Sequence, residues 1–513
     1  MLPRSLSLLF SLGVVVASPR VALADEPEPA PVAQGGEAEL PAPEPGSAAV
    51  LPTDAPTQVA PPSSDPEAPP PHHKGTTSSP HLEHKGGHGP SGLTLHEGPL
   101  EVRPGGFLQL ESYLFAGPGV ADYQRADGTG LKAGVAIHRA RFELAGRLLH
   151  RWFFQLQAEY GPDKRFLPTN NFVGLDAHPY LKLQVGQFRV PFTMENQVDP
   201  RFLGFMERSM TARLVGAPSV KDLGIMAWGG REHGPLTWAL GWFGGEGSNR
   251  PSADNRGDLI GRLVLRPLYR LPGSLRDAHL GVSGRFGRRD RNYVLSPTGA
   301  LRTPGGYELW SPTYGTTEVR PSSEQRALGL ELFLPWRRFD LRAEAVLVHD
   351  ERREVDTKVA AFNNTERSGT LTGHTWYVEV AYWIFGQPRF GGNPGHYAPP
   401  RGEPHTTRSL SIAARFERLR LDYDSVARSF DDAGALIPGV KRGALDATTT
   451  SLSVDAAQVS LSYYATRHLR LLAQWSGYFF ENDQVVAPGA KANGNDPEAK
   501  VLHEVSLRVQ LSI

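Results

Sequence analysis

The last nine residues, "VSLRVQLSI" (Val505–Ile513), alternate strictly between apolar and polar side chains. A β-strand directs successive side chains to opposite faces of its sheet. The pattern therefore places one face of this strand in an apolar medium and the other against water. No closing helix or tail follows, so this two-faced strand is the last element that the sequence predicts.

The same alternation recurs in about sixteen segments from Gly105 onward. Short connections, such as those near His150, Pro335 and His468, alternate with long polar ones. Short turns on one side and long loops on the other are typical of an outer-membrane β-barrel, and lipid forces closure because an open edge leaves backbone groups unsatisfied. We therefore predict an all-β fold, a 16-stranded antiparallel transmembrane β-barrel. The long connections are expected at Gly117–Gly134, Arg288–Ser322, Asp350–Leu371 and Glu481–Lys500.

A soluble β-sandwich or β-propeller would also show alternating strands. An export signal, two alternating loop lengths and strands of about ten residues all favour the membrane barrel. A propeller would also carry a blade repeat of fixed length, and the sequence contains none.

The N-terminal region predicts export followed by an unstructured arm. Arg4, the apolar run Leu6–Ala17 and the small residues Ala22-Leu23-Ala24 have the order of a signal peptide, assigned to residues 1–24. Residues 25–98 are rich in Pro, Ala and Glu and then in His, a composition that cannot bury enough apolar surface to fold. We expect a disordered periplasmic arm here and the barrel domain at residues 99–513.

The second part of the arm contains clustered histidines that suit metal binding, although a solvated polar linker is the favoured interpretation. No metal or other cofactor is therefore predicted. These histidines are His72, His73, His81, His84, His88 and His96.

Charge and composition narrow the function. The 513 residues contain no cysteine, which excludes disulfides and a catalytic thiol. Residues 1–98 hold 4 basic and 11 acidic residues, which leaves a net charge of +7 on residues 99–513. The sequence has no G-x-S-x-G, H-E-x-x-H or Walker motif, so an enzyme is not expected. Nucleic acid is not an expected partner.

One stretch interrupts the alternation, "VGQFRVPFTMENQVDPRFLGFMERSM" (Val185–Met210). Counted from a periplasmic N-terminus, Tyr180–Arg189 is the fifth strand and Pro191–Lys221 the third outer loop. Its apolar residues, such as Phe192 and Phe205, need a surface to pack on, and the nearest is the inner wall of a wide barrel. We therefore predict that this loop folds inward and narrows the channel.

Basic residues of the loop and of the inward parity are the candidate anion-binding groups, because fixed positive charge along a low-dielectric wall attracts anions. In the loop they are Arg201, Arg208, Arg213 and Lys221. On the pore wall they are Arg139, Arg141, Arg262, Arg266, Arg285, Arg342, Arg415, Arg470 and Arg508. The alternative is a nearly neutral wall, in which these arginines pair with inward-facing Glu143, Glu159, Glu331, Glu344, Glu379 and Glu417.

Several motifs resemble the phosphate-selective porin O and P family: "HRARFELAG", "LKLQVGQFRVPFTMEN", "FMERSM" and, near the end, "SLSYYATRHLRLLAQW". The resemblance covers roughly residues 100–513. It implies a sixteen-stranded outer-membrane channel, a homotrimer, with the third loop folded into the pore and basic residues lining it.

The sequence thus predicts a porin in the outer membrane of a Gram-negative bacterium, surrounded by outer-membrane lipid and passing small anions of the phosphate or polyphosphate class. Two alternatives stay open: a general or weakly selective porin, and a structural anchor barrel whose arm contacts peptidoglycan.

Overall fold

Sixteen antiparallel strands form a closed barrel in the computed structural model. Each strand pairs with its neighbour in sequence. The structure describes residues 95–117, 131, 133–161, 165–214, 220–231, 234–290, 301–310, 313–314, 317–356, 365–386, 389–390, 397–398, 408–429, 448–466, 468–481 and 501–513. The strands are β1 (Leu100–Ala116), β2 (Gly134–Leu148), β3 (Trp152–Tyr160), β4 (Asn171–His178), β5 (Leu181–Arg189), β6 (Lys221–Gly230), β7 (Leu236–Phe243), β8 (Asp258–Leu265), β9 (His279–Arg289), β10 (Thr317–Trp336), β11 (Phe339–Asp356), β12 (Thr365–Phe385), β13 (Ser409–Ser429), β14 (Thr448–Tyr464), β15 (Leu469–Phe480) and β16 (Val501–Ser512).

The C-terminal strand closes the barrel. β16 pairs with β1 from Phe107↔Ser512 to Ala116↔His503. The terminal residue continues this pairing, since Ile513 N–H donates to the Gly106 carbonyl at 3.0 Å and Gly106 N–H donates back at 3.2 Å. Closure satisfies the backbone groups that a free edge would expose to lipid.

The alternation read from the sequence separates the two faces of the wall. Outward-facing Leu507 is 54% exposed, whereas the neighbouring Arg508 is 1% exposed and faces the interior. Outward aromatic rings also gather at the turn end, where Phe339 lies 6.3 Å from Trp336 and 4.5 Å from Tyr382 between ring centroids. Such an aromatic girdle is typical of the membrane–water interface of a barrel.

Four strands extend further than the sequence suggested. β10, β11, β12 and β13 have 20, 18, 21 and 21 residues. The connections expected at Arg288–Ser322 and Asp350–Leu371 are therefore shorter, at 290–316 and 357–364. The pairing of β10 with β11 continues through polar residues, from Pro321↔Arg352 to Thr317↔Asp356. The sequence did not predict these strand ends, because a strand can continue beyond the lipid, where its outward side chains no longer need to be apolar.

Shorter elements complete the described chain. The strand Leu95–Glu97 pairs with β1, so the sheet begins a few residues before position 99. The helices are Met194–Gln197 and Met210–Leu214, with 3₁₀ turns at Pro200–Phe202 and Ser274–Asp277. No helix within the described residues is long and apolar enough to cross a membrane. The remaining short strands are Phe166–Pro168, Leu301–Arg302, Glu308–Trp310, Thr313–Tyr314, Arg389–Phe390 and Tyr397–Ala398. The predicted signal peptide and nearly all of the predicted arm lie outside the described residues.

The third outer loop joins β5 to β6 and folds into the barrel, as the sequence predicted. Its apolar side chains are buried against the inner wall. Phe192 packs in one cluster with Ile260 and Val346. Phe205 packs against Ala381 of β12 and Ala413 of β13, which lie seven and eight strands around the barrel from β5. The loop therefore crosses the lumen, and residues 190–220 are called the constriction loop below.

Candidate pore constriction

Wall side chains on one side of the barrel hold the constriction loop by its backbone. Arg470 donates to the carbonyls of Arg201 and Leu203 at 3.0 and 2.7 Å. Gln474 accepts from Met206 N–H at 2.6 Å, and Arg508 donates to the Met206 carbonyl. Because these bonds go to main-chain atoms, they fix the path of the loop whatever side chains it carries.

Carboxylates of β11 and β13 hold the two helices of the loop. Glu344 accepts from Glu195 N–H at 3.1 Å, which satisfies a free donor at the start of a helix. Glu417 accepts from Met210 N–H in the same way at 2.5 Å. Arg415 forms an ion pair with the Glu195 carboxylate at 3.0 Å. The loop is thus attached to the wall at several separate positions.

Asp199 joins the loop to β2. Its side chain caps the turn Pro200–Phe202 by accepting from Arg201 N–H, and it contacts the guanidinium groups of Arg201 at 3.0 Å and Arg141 at 2.9 Å. Arg189 lies 3.7 Å away. Burial raises the pKa of Asp199, but the three arginines outweigh burial and hold the pKa well below its usual range.

Two of the predicted loop arginines do not face the open lumen in the way the sequence suggested. Arg201 is fully buried and pairs with Glu143 at 3.2 Å as well as with Asp199. It therefore anchors the loop to β2. Arg213 donates to the Arg302 carbonyl of the Leu301–Trp310 hairpin. It therefore connects the loop to this hairpin.

The other two predicted loop residues lie with wall arginines in a basic cluster. Lys221 lies close enough to Arg141, Arg189 and Arg208 for their charges to interact. Arg208 donates to the carbonyls of Glu195 and Val198 and, among the described residues, pairs with no carboxylate. We call Arg139, Arg141, Arg189, Arg208 and Lys221 the basic cluster.

Carboxylates of the wall and of the loop lie around this cluster, and several of them are shared with other arginines. Arg139 and Arg141 both contact Glu159, at 3.7 Å and 2.6 Å. Arg139 also contacts Glu207 of the loop at 2.7 Å. Burial raises the pKa of Glu207, but Arg139 and His138 outweigh it and hold the pKa well below its usual range. The acidic groups in contact with these basic side chains are Glu159, Asp199 and Glu207, and Asp199 is shared with Arg201. Glu111 and Glu195 also lie close enough to interact with Arg139 and Arg208, and they are shared with Arg508 and Arg415.

Elsewhere on the wall, arginines pair with carboxylates, as in the alternative of a nearly neutral wall. Arg262 forms two hydrogen bonds with Glu331, at 3.0 and 2.6 Å. Arg285 pairs with Asp258 at 2.9 Å, and Arg342 lies 3.3 Å from Asp340 and 3.5 Å from Glu379. These pairs neutralise much of the wall away from the basic cluster.

The last predicted wall residues are engaged in other ways. Arg266 follows β8 and donates to the Gly234 carbonyl at 3.1 Å. Arg508 pairs with Glu111 through its Nε at 2.6 Å. All nine predicted wall arginines therefore lie on the inner side, and two of them, Arg139 and Arg141, belong to the basic cluster.

Sequence reasoning missed two residues of the constriction. Arg189 is the last residue of β5 and stands directly across from Lys221 of β6. Like charges in directly opposed cross-strand positions are destabilising. His138 enters the lumen through a β-bulge, since Gln109 pairs with Arg139 while Leu110 pairs with Ile137. Strict alternation had placed His138 on the lipid side, and only a break in the parity of β2 would have revealed it.

Among the described residues, no group of three or more metal-ligating side chains is close enough to hold a metal ion. A closed barrel whose lumen is crossed by an inward loop and lined by polar and basic side chains is typical of one class of protein. The protein is an outer-membrane porin of a Gram-negative bacterium. Its surroundings are outer-membrane lipid, and its fold indicates a channel rather than an enzyme.

The sequence also identifies the family of porins to which the chain belongs. The model of the family described as phosphate-selective porin O and P matches residues 118–479, and the chain belongs to this family. No curated protein matches the chain in sequence. Similar solved structures include a loop L8 deletion mutant of the outer-membrane protein OmpT of Vibrio cholerae, with 8% identity, coverage of 81% of this chain and 100% of that one, and a TM-score of 0.45. An anion-selective porin from Comamonas acidovorans shows 10% identity, coverage of 81% and 100%, and a TM-score of 0.41.

Proposed function

We propose that this porin prefers anions of the phosphate class and that the basic cluster sets the preference. The observation that carries the proposal is the cross-strand pair Arg189 and Lys221, with Arg208 beside it. Like charges held this close are favourable when an anion lies between them. Guanidinium groups suit phosphate because their planar fork donates two parallel hydrogen bonds.

The position of the cluster strengthens its effect on ions. It lies where the constriction loop leaves β5 and rejoins β6, next to the buried contacts of the loop with the wall. Coulomb energy scales inversely with the effective dielectric, so a charge in a narrow, poorly hydrated passage acts more strongly than one facing bulk water. The paired arginines on the rest of the wall contribute less.

Phosphate block of chloride current tests the proposal. Removing one hydrogen-bonding charge costs about 1.5 kcal/mol or more, so Lys221→Gln should weaken the block about tenfold. Arg208→Gln should act in the same direction, and Arg208→Lys, which keeps the charge, should weaken the block less. Arg256→Gln is the matched control, because Arg256 is half-exposed on an outer loop and pairs with Asp290 at 2.8 Å.

Unchanged block in Lys221→Gln and Arg208→Gln, with normal single-channel conductance, would contradict the proposal. We also propose that the protein is a channel with no enzymatic activity.

A homotrimer is part of the same proposal. The wall is uneven, since β4, β7 and β8 have 8 residues each while β12 and β13 have 21. Tilted strands need about 9–11 residues to span the hydrocarbon core, and the 8-residue strands fall short of this. A neighbouring copy packed against the short strands would shield their ends from lipid. Chemical cross-linking in intact outer membranes should yield trimers, and monomers alone would argue against them.

The arm at residues 25–98 is proposed to contact peptidoglycan. Its support is compositional: a long Pro- and Glu-rich segment between the signal peptide and the first strand. Deleting residues 25–98 should reduce retention of the protein on isolated peptidoglycan, and equal retention would remove this part of the proposal.

A further inference from the structure

Both ring nitrogens of His138 face carboxylates. Nε2 lies 2.8 Å from Glu207 Oε1 on the constriction loop, and Nδ1 lies 3.2 Å from Glu111 Oε2 on β1. A neutral imidazole has a single N–H and can donate to one of them only, whereas the protonated ring donates through both nitrogens. Only the protonated ring can therefore donate a hydrogen bond to both carboxylates.

The two carboxylates have other donors that keep them acceptors. Glu111 accepts from Arg508 of β16 and from the hydroxyl of Tyr113 on its own strand. Glu207 accepts from Arg139 at 2.7 Å. Both oxygens that face His138 thus belong to groups already serving as hydrogen-bond acceptors, which leaves the ring to supply the protons.

His138 also lies at the place where a change of charge has the most effect. It adjoins Arg139 of the basic cluster, and Arg139 shares Glu159 of β3 with Arg141. The imidazole faces Glu111 from β1 and Glu207 from the loop. The charged and titratable groups on these carboxylates are Tyr113 from β1, Arg139 from β2 and Arg508 from β16. Its side chain keeps 14% of its surface exposed, so protons and ions can reach it.

We infer that His138 is a selectivity-determining residue whose protonation adjusts the anion preference of the constriction with pH. This inference rests on the proposed function, because it assigns a regulator to the same basic cluster. When the ring is protonated, its positive charge offsets the charge of Glu207 beside the cluster. When the ring is neutral, the net charge beside the cluster falls by one unit, and one of the two carboxylates loses the imidazole as a donor. Imidazole side chains change charge between about pH 5 and 8, so the porin is more anion-preferring at the acidic end of that range.

Reversal potentials of the full chain in planar bilayers, measured in a KCl gradient from about pH 5 to 8, test this inference. Chloride is the probe because its charge does not change with pH, unlike that of phosphate. The wild type should lose anion preference as pH rises. His138→Gln should keep the high-pH value throughout, and His138→Lys should keep the low-pH value.

The matched control is His374→Gln, because His374 is an exposed residue on the outward face of β12. The reversal potential of His374→Gln should change with pH as that of the wild type does.

The outcomes separate this inference from the proposed function. If the wild type and His138→Gln show the same pH dependence, or if His138→Lys titrates like the wild type, the inference is overturned even where the channel prefers anions. If the channel prefers cations at every pH but loses its pH step in His138→Gln, the role of His138 stands and the proposed function fails.

Discussion

At the scale of residues, the sequence indicates which side chains face the lumen but not which partners they meet. All nine predicted wall arginines face inward, because the pleat of a strand dictates the face. Partners depend on how the loop crosses the lumen. Arg201 pairs with Glu143 from a distant strand, and no local pattern connects the two. His138 was missed because one bulge reverses the parity of the wall.

The buried pair Arg201–Glu143 predicts a stability effect. Arg201→Gln removes the guanidinium and leaves Glu143 and Asp199 buried with fewer donors, so the free energy of unfolding should fall by about 3–5 kcal/mol. Urea-induced unfolding in detergent measures it. Adding Glu143→Gln to Arg201→Gln should restore part of the loss, since one uncompensated charge disappears.

Arg213→Gln is the matched control, because Arg213 is a partly exposed arginine of the same loop that contacts a carbonyl. Its effect should stay within about 0.5 kcal/mol, as for ordinary surface changes. Equal losses in Arg201→Gln and Arg213→Gln would contradict the anchoring role of Arg201.

At the scale of elements, the constriction loop was predictable because its composition conflicts with an exposed position. Apolar Phe192, Phe205 and Met206 had to be covered, and the inner wall covers them. A second inward element was not predicted. The Leu301–Trp310 hairpin packs on apolar residues of β13 and β14, including Leu419 and Val454. Apolar residues at inward parity were the available signal, since an aqueous lumen alone would favour polar ones there.

At the scale of the whole molecule, alternation and closure follow from lipid as the solvent, which is why strand number and order could be predicted. Wall height could not, because β10–β13 continue their hydrogen-bonded ladders beyond the apolar band. The net charge of +7 on residues 99–513 gave only a weak indication of anion preference. The structure adds the distribution of that charge: most wall arginines pair with carboxylates, and five basic side chains lie together in the basic cluster beside the constriction loop.

The central claim is that this porin passes anions in preference to cations because of the basic cluster. The reversal potential of single wild-type channels in a KCl gradient at neutral pH tests it most directly. Anion preference predicts a reversal potential of the sign set by the chloride gradient, reduced toward zero in the double variant Arg208→Gln and Lys221→Gln. A wild-type reversal potential at zero or of the sign set by potassium would contradict the claim.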